Sequence, residues 1–355
     1  MKSSLLKKLS IVTALCFAIS AFAGCPDDDK TKKKEFDQGH AVKEHQIIGG
    51  YNAPARIDVK NDFDMNINAS FIFWQAKEKG LDFLYAHPTS AAENKNKWIS
   101  NDFDFKPGFK VGLGVNFDYD NWDLNTEYTW LYLTDTKTKN SQTGYTLYPT
   151  WSINGADQAI TEGKTSWKLR FNVIDLELAR SFYAGTNLTL RPHFGLRGGW
   201  IYQKNLCTYT YSTTTFLSKG KQKNWLIGPR AGVVAHFLFD EGFRFQAETA
   251  FALFYEKFKT TYKDQDFETP TTLAYNLTDR QGYVIPNLDT TLGLAWGTYL
   301  DDKNFHLDCL LAYDFSIFWN QNMMRSIVDK RRATIDTKPE DLVFQGLTLT
   351  VKFDF

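Results

Sequence analysis

The stretch Asn304–Asn320, NFHLDCLLAYDFSIFWN, decides the fold because its hydrophobic residues occupy alternate positions. The odd positions carry the apolar side chains, namely Phe305, Leu307, Cys309, Leu311, Tyr313, Phe315, Ile317 and Trp319. The even positions carry mostly polar ones, among them His306, Asp308 and Asp314. Since side chains alternate across a β-strand, this pattern predicts a strand with one apolar and one polar face.

The same alternation recurs along the chain. The runs Asn304–Asn320 and Asp102–Tyr119 are each 15 to 20 residues long, longer than the usual strand of a soluble protein. Asp102–Tyr119 repeats it, and Trp167–Tyr183 changes phase near Val173-Ile174, which indicates a β-bulge. The other alternating segments are Met65–Tyr85, Trp122–Thr134, Leu188–Tyr202, Trp225–Phe239, Phe243–Tyr255, Pro286–Thr298 and Leu347–Phe355. We predict about ten strands, or 12–14 if the long segments contain further turns.

Two kinds of connection alternate between these segments. Tight links are expected at Asp118–Asn121, Ala184–Asn187, Asp240–Gly242 and Asp301–Lys303. Long polar links are expected at Ala86–Asn101, Thr136–Thr165, Ser212–Lys223, Lys259–Tyr283 and Asn322–Asp341. Short turns at one end and long loops at the other are typical of outer-membrane barrels, with the turns in the periplasm and the loops outside.

Residues 61–355 are therefore predicted to be all-β and to form a transmembrane antiparallel β-barrel of the bacterial outer membrane. The tryptophans near the strand ends, Trp167, Trp200 and Trp225 among them, are expected to form interfacial girdles facing outer-membrane lipid. The terminal aromatic, Phe355, is expected to be recognised by the barrel assembly machinery. The alternative is an exported β-sandwich or lipocalin-like barrel that buries its apolar face inward.

The N-terminal segment is predicted to direct export. Residues 1–23 have a basic start, a short apolar run and an Ala-x-Ala end, which together indicate a cleaved signal peptide. A lipoprotein-type cleavage that lipidates Cys25 is the competing interpretation. Residues 24–60 are charged and without a sustained period, so we predict a flexible periplasmic extension, with a small partner-binding element as the alternative.

Composition excludes several classes of protein. Basic and acidic residues are equal in number, which argues against a nucleic-acid partner, and the mean hydropathy of -0.39 argues against a helical membrane protein. Few cysteines are present, and an intermolecular disulfide at Cys207 is an open alternative.

Four stretches resemble the pore-forming major outer membrane protein-like family of Legionella and chlamydia-like bacteria. They are Asn66–Glu78 (NINASFIFWQAKE), Pro107–Gly114 (PGFKVGLG) with Trp122-Asp123-Leu124, Asp175–Tyr183 (DLELARSFY) and Leu190–Arg197 (LRPHFGLR). The resemblance extends over roughly Asn66 to Phe355 and implies a surface-abundant barrel that forms pores.

The polar face of each strand is expected to line the lumen, and its charges divide by strand. The predicted pore-lining bases are Lys168, Arg170, Arg191, Arg197, Arg230 and Arg244, with Glu248 as an acidic exception among them. The predicted pore-lining acids are Asp104, Glu127, Asp289, Asp308 and Asp314. Our hypothesis is that basic and acidic walls face each other and orient ions and small polar solutes. The alternative is a salt-bridge network that plugs a narrow barrel.

The chain is predicted not to be an enzyme. It contains no G-x-S-x-G, H-E-x-x-H or C-x-x-C motif, and its candidate histidines, His193, His236 and His306, are scattered over three strands. No cofactor or metal is expected. We predict a porin-like channel for the passive diffusion of ions and small polar solutes, with homo-oligomer formation left open. The alternative function is a closed barrel that acts in structure or host attachment through its surface loops.

Overall fold

The computed structural model describes residues 53, 55–60, 64–89, 95–117, 120–325, 328 and 339–355. The predicted signal peptide, residues 1–23, and Cys25 lie outside the described residues, as does most of the predicted extension 24–60. Among the described residues, no helix has the length and apolar character needed to cross a bilayer.

Ten long strands form one closed antiparallel sheet. They are β1 (Met65–Glu78), β4 (Phe105–Asn116), β5 (Trp122–Asn140), β7 (Glu162–Arg180), β9 (Leu188–Tyr211), β10 (Thr214–Leu238), β11 (Phe243–Gln265), β12 (Leu273–Leu300), β13 (Phe305–Asn322) and β14 (Glu340–Asp354). Each pairs with the next of these strands, and β14 pairs with β1 in a register that places Phe71 opposite Leu349. Reciprocal hydrogen bonds between Met65 and Phe355 complete the closure. The predicted barrel and its ten-strand count are confirmed.

The described residues also form four shorter strands. β2 (Leu84–Pro88) pairs with both β3 (Lys97–Ile99) and β6 (Tyr145–Pro149) in a separate three-stranded sheet. β8 (Phe182–Tyr183) pairs with the first residues of β9, and a single 3₁₀ turn, Asp240–Gly242, joins β10 to β11.

The two ends of the barrel differ in their connections. At one end, here called the turn end, four tight connections follow β4, β7, β10 and β12, and several of their residues have positive φ, including Asn121, Glu241 and Asp301. The longer connections after β1, β5 and β13 lie at the opposite end, here called the loop end. The turn end is periplasmic and the loop end extracellular in a barrel of this class.

Two of the predicted long loops are strand instead. Ser212–Lys223 and Lys259–Tyr283 belong mainly to β10, β11 and β12, which reach 25, 23 and 28 residues. Only Ser212-Thr213 and residues 266–272 remain as connections. The prediction was wrong because these extensions carry polar side chains outward, so the one-sided apolar alternation used to find strands is absent there.

The outer face is apolar across the middle of the barrel. Phe71, Leu113, Leu196, Leu294 and Leu349 are all exposed on it, as expected for side chains that contact lipid. Trp200 and Trp225 are exposed near its loop end and pair across β9 and β10.

Trp167 is the exception among the predicted girdle residues, because its side chain is fully buried inside the barrel. The bulge predicted at Val173-Ile174 is also absent. The register of β7 against β5 and β9 runs without a shift, and its odd residues face inward throughout. The change of phase in the sequence therefore marks a change in what fills the bore.

Candidate functional site

The inward residues of β11 show how the bore is divided along its length. From the turn end they begin with Arg244, Gln246 and Glu248, continue through Ala250, Ala252 and Phe254, and finish with Tyr262 and Asp264. The sequence of side chains is thus charged, then apolar, then polar and aromatic. The same order on the other strands produces three successive regions inside the barrel.

An aromatic layer closes the middle of the bore. We define it as Trp74, Phe171, Phe254, Phe318 and Phe344, all buried. The Phe171 ring lies 5.8 Å from the Phe318 ring and 4.7 Å from the Phe344 ring, centroid to centroid. β7 and β13 are five places apart in a ring of ten strands, so Phe171 and Phe318 meet across the full width of the barrel.

Towards the loop end, buried amides and carboxylates form a narrow polar region above this layer. Gln203 donates to the Glu78 carboxylate across the bore at 3.2 Å, and Gln321 donates to Glu256 at 2.9 Å. Asn224 donates to the same Glu256 carboxylate. These side chains hold strands from different parts of the sheet together.

Loop residues then fill the mouth at the loop end. The Asp264 carboxylate accepts hydrogen bonds from the Ile153 amide at 2.7 Å and the Asn154 amide at 3.0 Å, which draws this segment inside the barrel. Tyr262 donates to the Trp151 carbonyl, and Trp151 is fully buried. We call this segment, residues 151–154, the loop plug.

Cys207 lies beside these buried groups. Its side chain is fully buried and its thiol donates to Thr165. The intermolecular disulfide considered for this residue is therefore incompatible with its position.

At the turn end lies a cavity of about 900 Å³, here called the ionic chamber. Eight of the predicted pore-lining residues contribute to its wall, namely Glu127, Arg191, Arg197, Arg230, Arg244, Asp289, Asp308 and Asp314. Among the described residues, ten carboxylates and seven cationic side chains line the chamber, so the formal charge of this lining is negative.

Three predicted residues lie elsewhere. Lys168 and Arg170 are at even positions of β7 and face the outside of the barrel, where the Arg170 guanidinium lies over the Tyr132 ring. Their assignment to the lumen was wrong because it followed from the supposed bulge. Asp104 precedes β4 at the loop end, where it is exposed and pairs with Lys106 at 3.2 Å, outside the chamber.

The arginines of the chamber are held by carboxylates on several strands. Arg197 donates to Asp175 at 2.5 Å and to Asp289 at 2.6 Å, which links β9 to β7 and β12. Arg230 of β10 contacts Glu177 of β7, and it donates to Glu248 of β11 at 3.1 Å. Burial away from water strengthens the attraction within such ion pairs and makes an unpaired charge costly. Each arginine is therefore fixed in place by its carboxylates.

Three further cations of the chamber are paired in the same way. Arg191 donates to Asp123 at 2.5 Å, Arg244 contacts Asp308, and the Lys110 ammonium lies 3.6 Å from Asp314. The two predicted sets of charge are therefore joined by ion pairs rather than held apart. The arginines lie on the neighbouring strands β9, β10 and β11, and the carboxylates that hold them lie on β5, β7, β11, β12 and β13.

Sequence reasoning missed Asp123, Asp175 and Glu177 as wall residues. Asp175 and Glu177 stand at inward positions of β7, and Asp123 stands at an inward position of β5. The signal that could have found them is the alternation itself, because the apolar neighbours of all three face outward with or without a bulge in β7.

One cluster has the composition of a metal site. The Nδ1 atom of His193 lies 3.6 Å from Glu177 Oε1, and its Nε2 atom lies 3.9 Å from Glu248 Oε1. The Arg230 guanidinium contacts both of these carboxylates, so it already supplies their positive partner. His306 bonds to Asp354 at 3.2 Å, and His236 to Gln246 at 3.2 Å, so these two histidines serve other contacts.

The described end of the predicted extension crosses the mouth of the chamber. Ala55 donates its amide to the Ser181 carbonyl, and Arg56 pairs with Asp64 at 2.7 Å. The Lys60 ammonium donates to Asp302 in the turn after β12 at 2.7 Å, and this hydrogen bond lowers the pKa of the Asp302 carboxyl. Residues 55–60 are thus bonded to the turn end of the barrel.

The family model described as "Legionella pneumophila major outer membrane protein precursor" matches residues 58–355. The chain belongs to this family. The resemblance found in the sequence is confirmed, and the protein is a multi-pass barrel of the bacterial outer membrane. No curated protein sequence matches the chain.

Several solved structures resemble the chain at low sequence identity. The outer membrane protease OmpT of Escherichia coli is 12% identical, with 84% of this chain and 99% of that chain covered and a TM-score of 0.44. A FadL homologue of Pseudomonas aeruginosa is 6% identical, with 83% of this chain and 90% of that chain covered and a TM-score of 0.26. The toluene transporter TodX of Pseudomonas putida is 7% identical, with 83% and 90% covered and a TM-score of 0.19. The prediction that this chain is not an enzyme stays a prediction.

Proposed function

We propose that the protein is a porin-like channel for ions and small polar solutes, and that the conformation described here is its closed state. The observation that carries the proposal is the ionic chamber itself. The barrel fills its bore with aromatic rings at the level of Phe171 and Phe318. The adjacent chamber, nearer the turn end, could have been filled with apolar side chains in the same way. Buried ion pairs are often no more stabilising than an apolar filling of the same volume. Charge in the chamber therefore favours a role in handling ions.

The chamber would prefer cations. Ten carboxylates against seven cationic side chains leave a formal excess of negative charge on its wall. Rings of acidic side chains are a common basis of cation preference in pores. A solute would have to pass residues 55–60 at the turn end, then the aromatic layer, the narrow polar region above it and the loop plug.

A second candidate function is a permanently closed barrel that acts through its loops. The contact between Phe171 and Phe318 across the whole bore favours it, as do the hydrogen bonds that hold Ile153 and Asn154 inside the mouth. In this case the charged chamber would only hold the strands together.

Single-channel recording in planar bilayers distinguishes the two. The double variant Phe171→Ala/Phe318→Ala removes the rings that meet across the bore, and we expect it to increase channel opening at least about tenfold over wild type, since a barrier lowered by 1.4 kcal/mol has this effect. Under a salt gradient the reversal potential should show cation preference.

The matched control is Phe194→Ala/Phe251→Ala, which removes two exposed rings from the outer face and should leave opening unchanged. If the wild type and the Phe171→Ala/Phe318→Ala variant both insert and neither conducts, the channel proposal fails and the closed barrel replaces it. Conduction with anion preference would contradict the proposed role of the excess carboxylates.

A further inference from the structure

A basic patch covers part of the outer wall at the loop end. It consists of Lys168, Lys204, Lys221, Lys223, Lys259 and Arg280, whose side chains all stand at outward positions of their strands. They extend over five consecutive strands, from β7 through β9, β10 and β11 to β12. This patch is separate from the bore, and the proposed function does not use it.

The register places these charges directly beside one another. Lys168 is opposite Lys204, and Lys204 is opposite Lys221, which makes one row across three strands. A second row begins on the same strand, where Lys223 is opposite Lys259. Lys259 is in turn opposite Arg280. Like charges directly opposite each other destabilise a sheet, so these rows call for an anionic partner.

The described part of the protein does not supply that partner. None of the six side chains makes an ion pair with a described residue. Ser166, Leu206, Thr261 and Thr278 occupy outward positions beside the rows, and all of them are neutral. The excess positive charge is thus uncompensated by its own sheet.

The height of the patch fits the headgroup region of the outer leaflet. Lys223 is only two residues beyond the girdle residue Trp225 on β10, a distance of about 7 Å along a strand. The Lys223 ammonium also lies 5.7 Å from the centroid of the Tyr202 ring, and the Arg170 guanidinium lies 5.9 Å from the same ring. Exposed tyrosine and tryptophan rings are typical of the membrane interface.

We propose that the basic patch binds the phosphorylated headgroup of lipopolysaccharide in the outer leaflet. Its cations extend laterally along the wall at headgroup height, next to the girdle, which suits a lipid whose acyl chains lie against the apolar band below. Two rows of cations spaced by neighbouring strands could each contact one anionic group of such a headgroup.

The test measures lipid binding by the full chain, extracted in detergent from outer membranes and stripped of lipid. Native mass spectrometry would count bound molecules while purified lipopolysaccharide or its enzymatically dephosphorylated form is titrated. We expect the phosphorylated form to bind at least about tenfold more tightly than the dephosphorylated form.

The patch variant K204Q/K221Q/K259Q should lose about tenfold in affinity, whereas the control K77Q/K79Q/K95Q should stay within about twofold of wild type. The control removes three exposed lysines at the loop end outside the patch. Without lipid, the patch variant should unfold at the same temperature as wild type or a higher one, because like-charge repulsion is removed. When lipid is added, its unfolding temperature should rise less than that of wild type.

Three results would overturn the proposal. They are equal binding of the two lipid forms, unchanged binding by the patch variant, and displacement of the lipid by inorganic phosphate at equal concentration, which would identify a free-anion site. Heat-modifiable migration in SDS gels reports folding of each variant. If the triple variant does not fold, Lys221→Gln alone should weaken binding about threefold, and no change would overturn the proposal equally.

Discussion

The aromatic layer and the ionic chamber occupy the same bore and are built from the same strands, yet they are filled by opposite chemistry. On β7 the inward residues Phe171 and Val173 belong to the apolar filling, and the next two, Asp175 and Glu177, belong to the charged one. Ring contacts across the barrel stabilise the first region, and charge-assisted hydrogen bonds between strands stabilise the second. The contrast shows that the barrel wall does not dictate the content of its lumen.

The largest effect is expected from breaking the charged filling. Arg197→Met leaves Asp175 and Asp289 without their shared cation, and it should lower the free energy of unfolding by about 5 kcal/mol, the upper part of the range for a buried pair that loses one partner. Urea unfolding in detergent micelles measures this loss.

Arg180→Met is the matched control for that experiment. Arg180 pairs with Asp120 in a more exposed position near the turn end, so its replacement should cost less than about 1 kcal/mol. If the two variants lose similar stability, the arginines of the chamber are not buried against their partners as described.

A smaller loss is expected in the aromatic layer. Phe344→Ala should lower the free energy of unfolding by about 3 kcal/mol, the low end for a buried phenylalanine, because the ring borders the chamber and water can enter the space. Phe194→Ala on the outer face is the control and should cost less, since lipid or detergent fills its place. A loss at Phe194 equal to that at Phe344 would contradict the layer's role.

The smallest change in stability is expected when a whole ion pair of the chamber is replaced by apolar side chains. Arg244 and Asp308 contact each other across β11 and β13, and the double variant Arg244→Met/Asp308→Leu replaces this pair with apolar groups of similar size. We expect its free energy of unfolding to stay within about 1 kcal/mol of wild type, while Arg244→Met alone loses about 3 kcal/mol. Thermal or urea unfolding of both proteins measures the difference.

A double variant that is as unstable as the single one would mean that the chamber requires charge for folding. In that case the charges would need no transport role to explain them, and the closed-barrel function would gain support over the channel.

Much of the fold could be predicted from the sequence because a strand in lipid must alternate. The alternation in Asn304–Asn320 predicted β13, Phe305–Asn322, and the outward position of Cys309, with its polar residues His306, Asp308 and Asp314 inside. The extracellular parts of β10 and β12 were missed because their outward faces are mostly polar, so no apolar outward face marked them as strand.

The candidate site was predicted where the lumen is polar and misread where it is apolar. In the chamber, Arg191, Arg197 and Asp289 stand at the inward positions that alternation indicates. Near Phe171 both faces of β7 reverse, since the inward residues are aromatic and the outward ones are Lys168 and Arg170. Local pattern alone could not distinguish that reversal from a bulge, because either gives the same change of phase.

By itself, the sequence determined that this chain is an outer-membrane barrel of about ten strands, with an apolar outer band and charged residues inside it. Only the tertiary structure decided which charges meet, because pairs such as Arg197 with Asp289 lie 92 residues apart and join strands through closure of the sheet. The tertiary structure also determined that the bore is closed. Phe171 and Phe318 come into contact only when strands on opposite sides of a complete ring face each other.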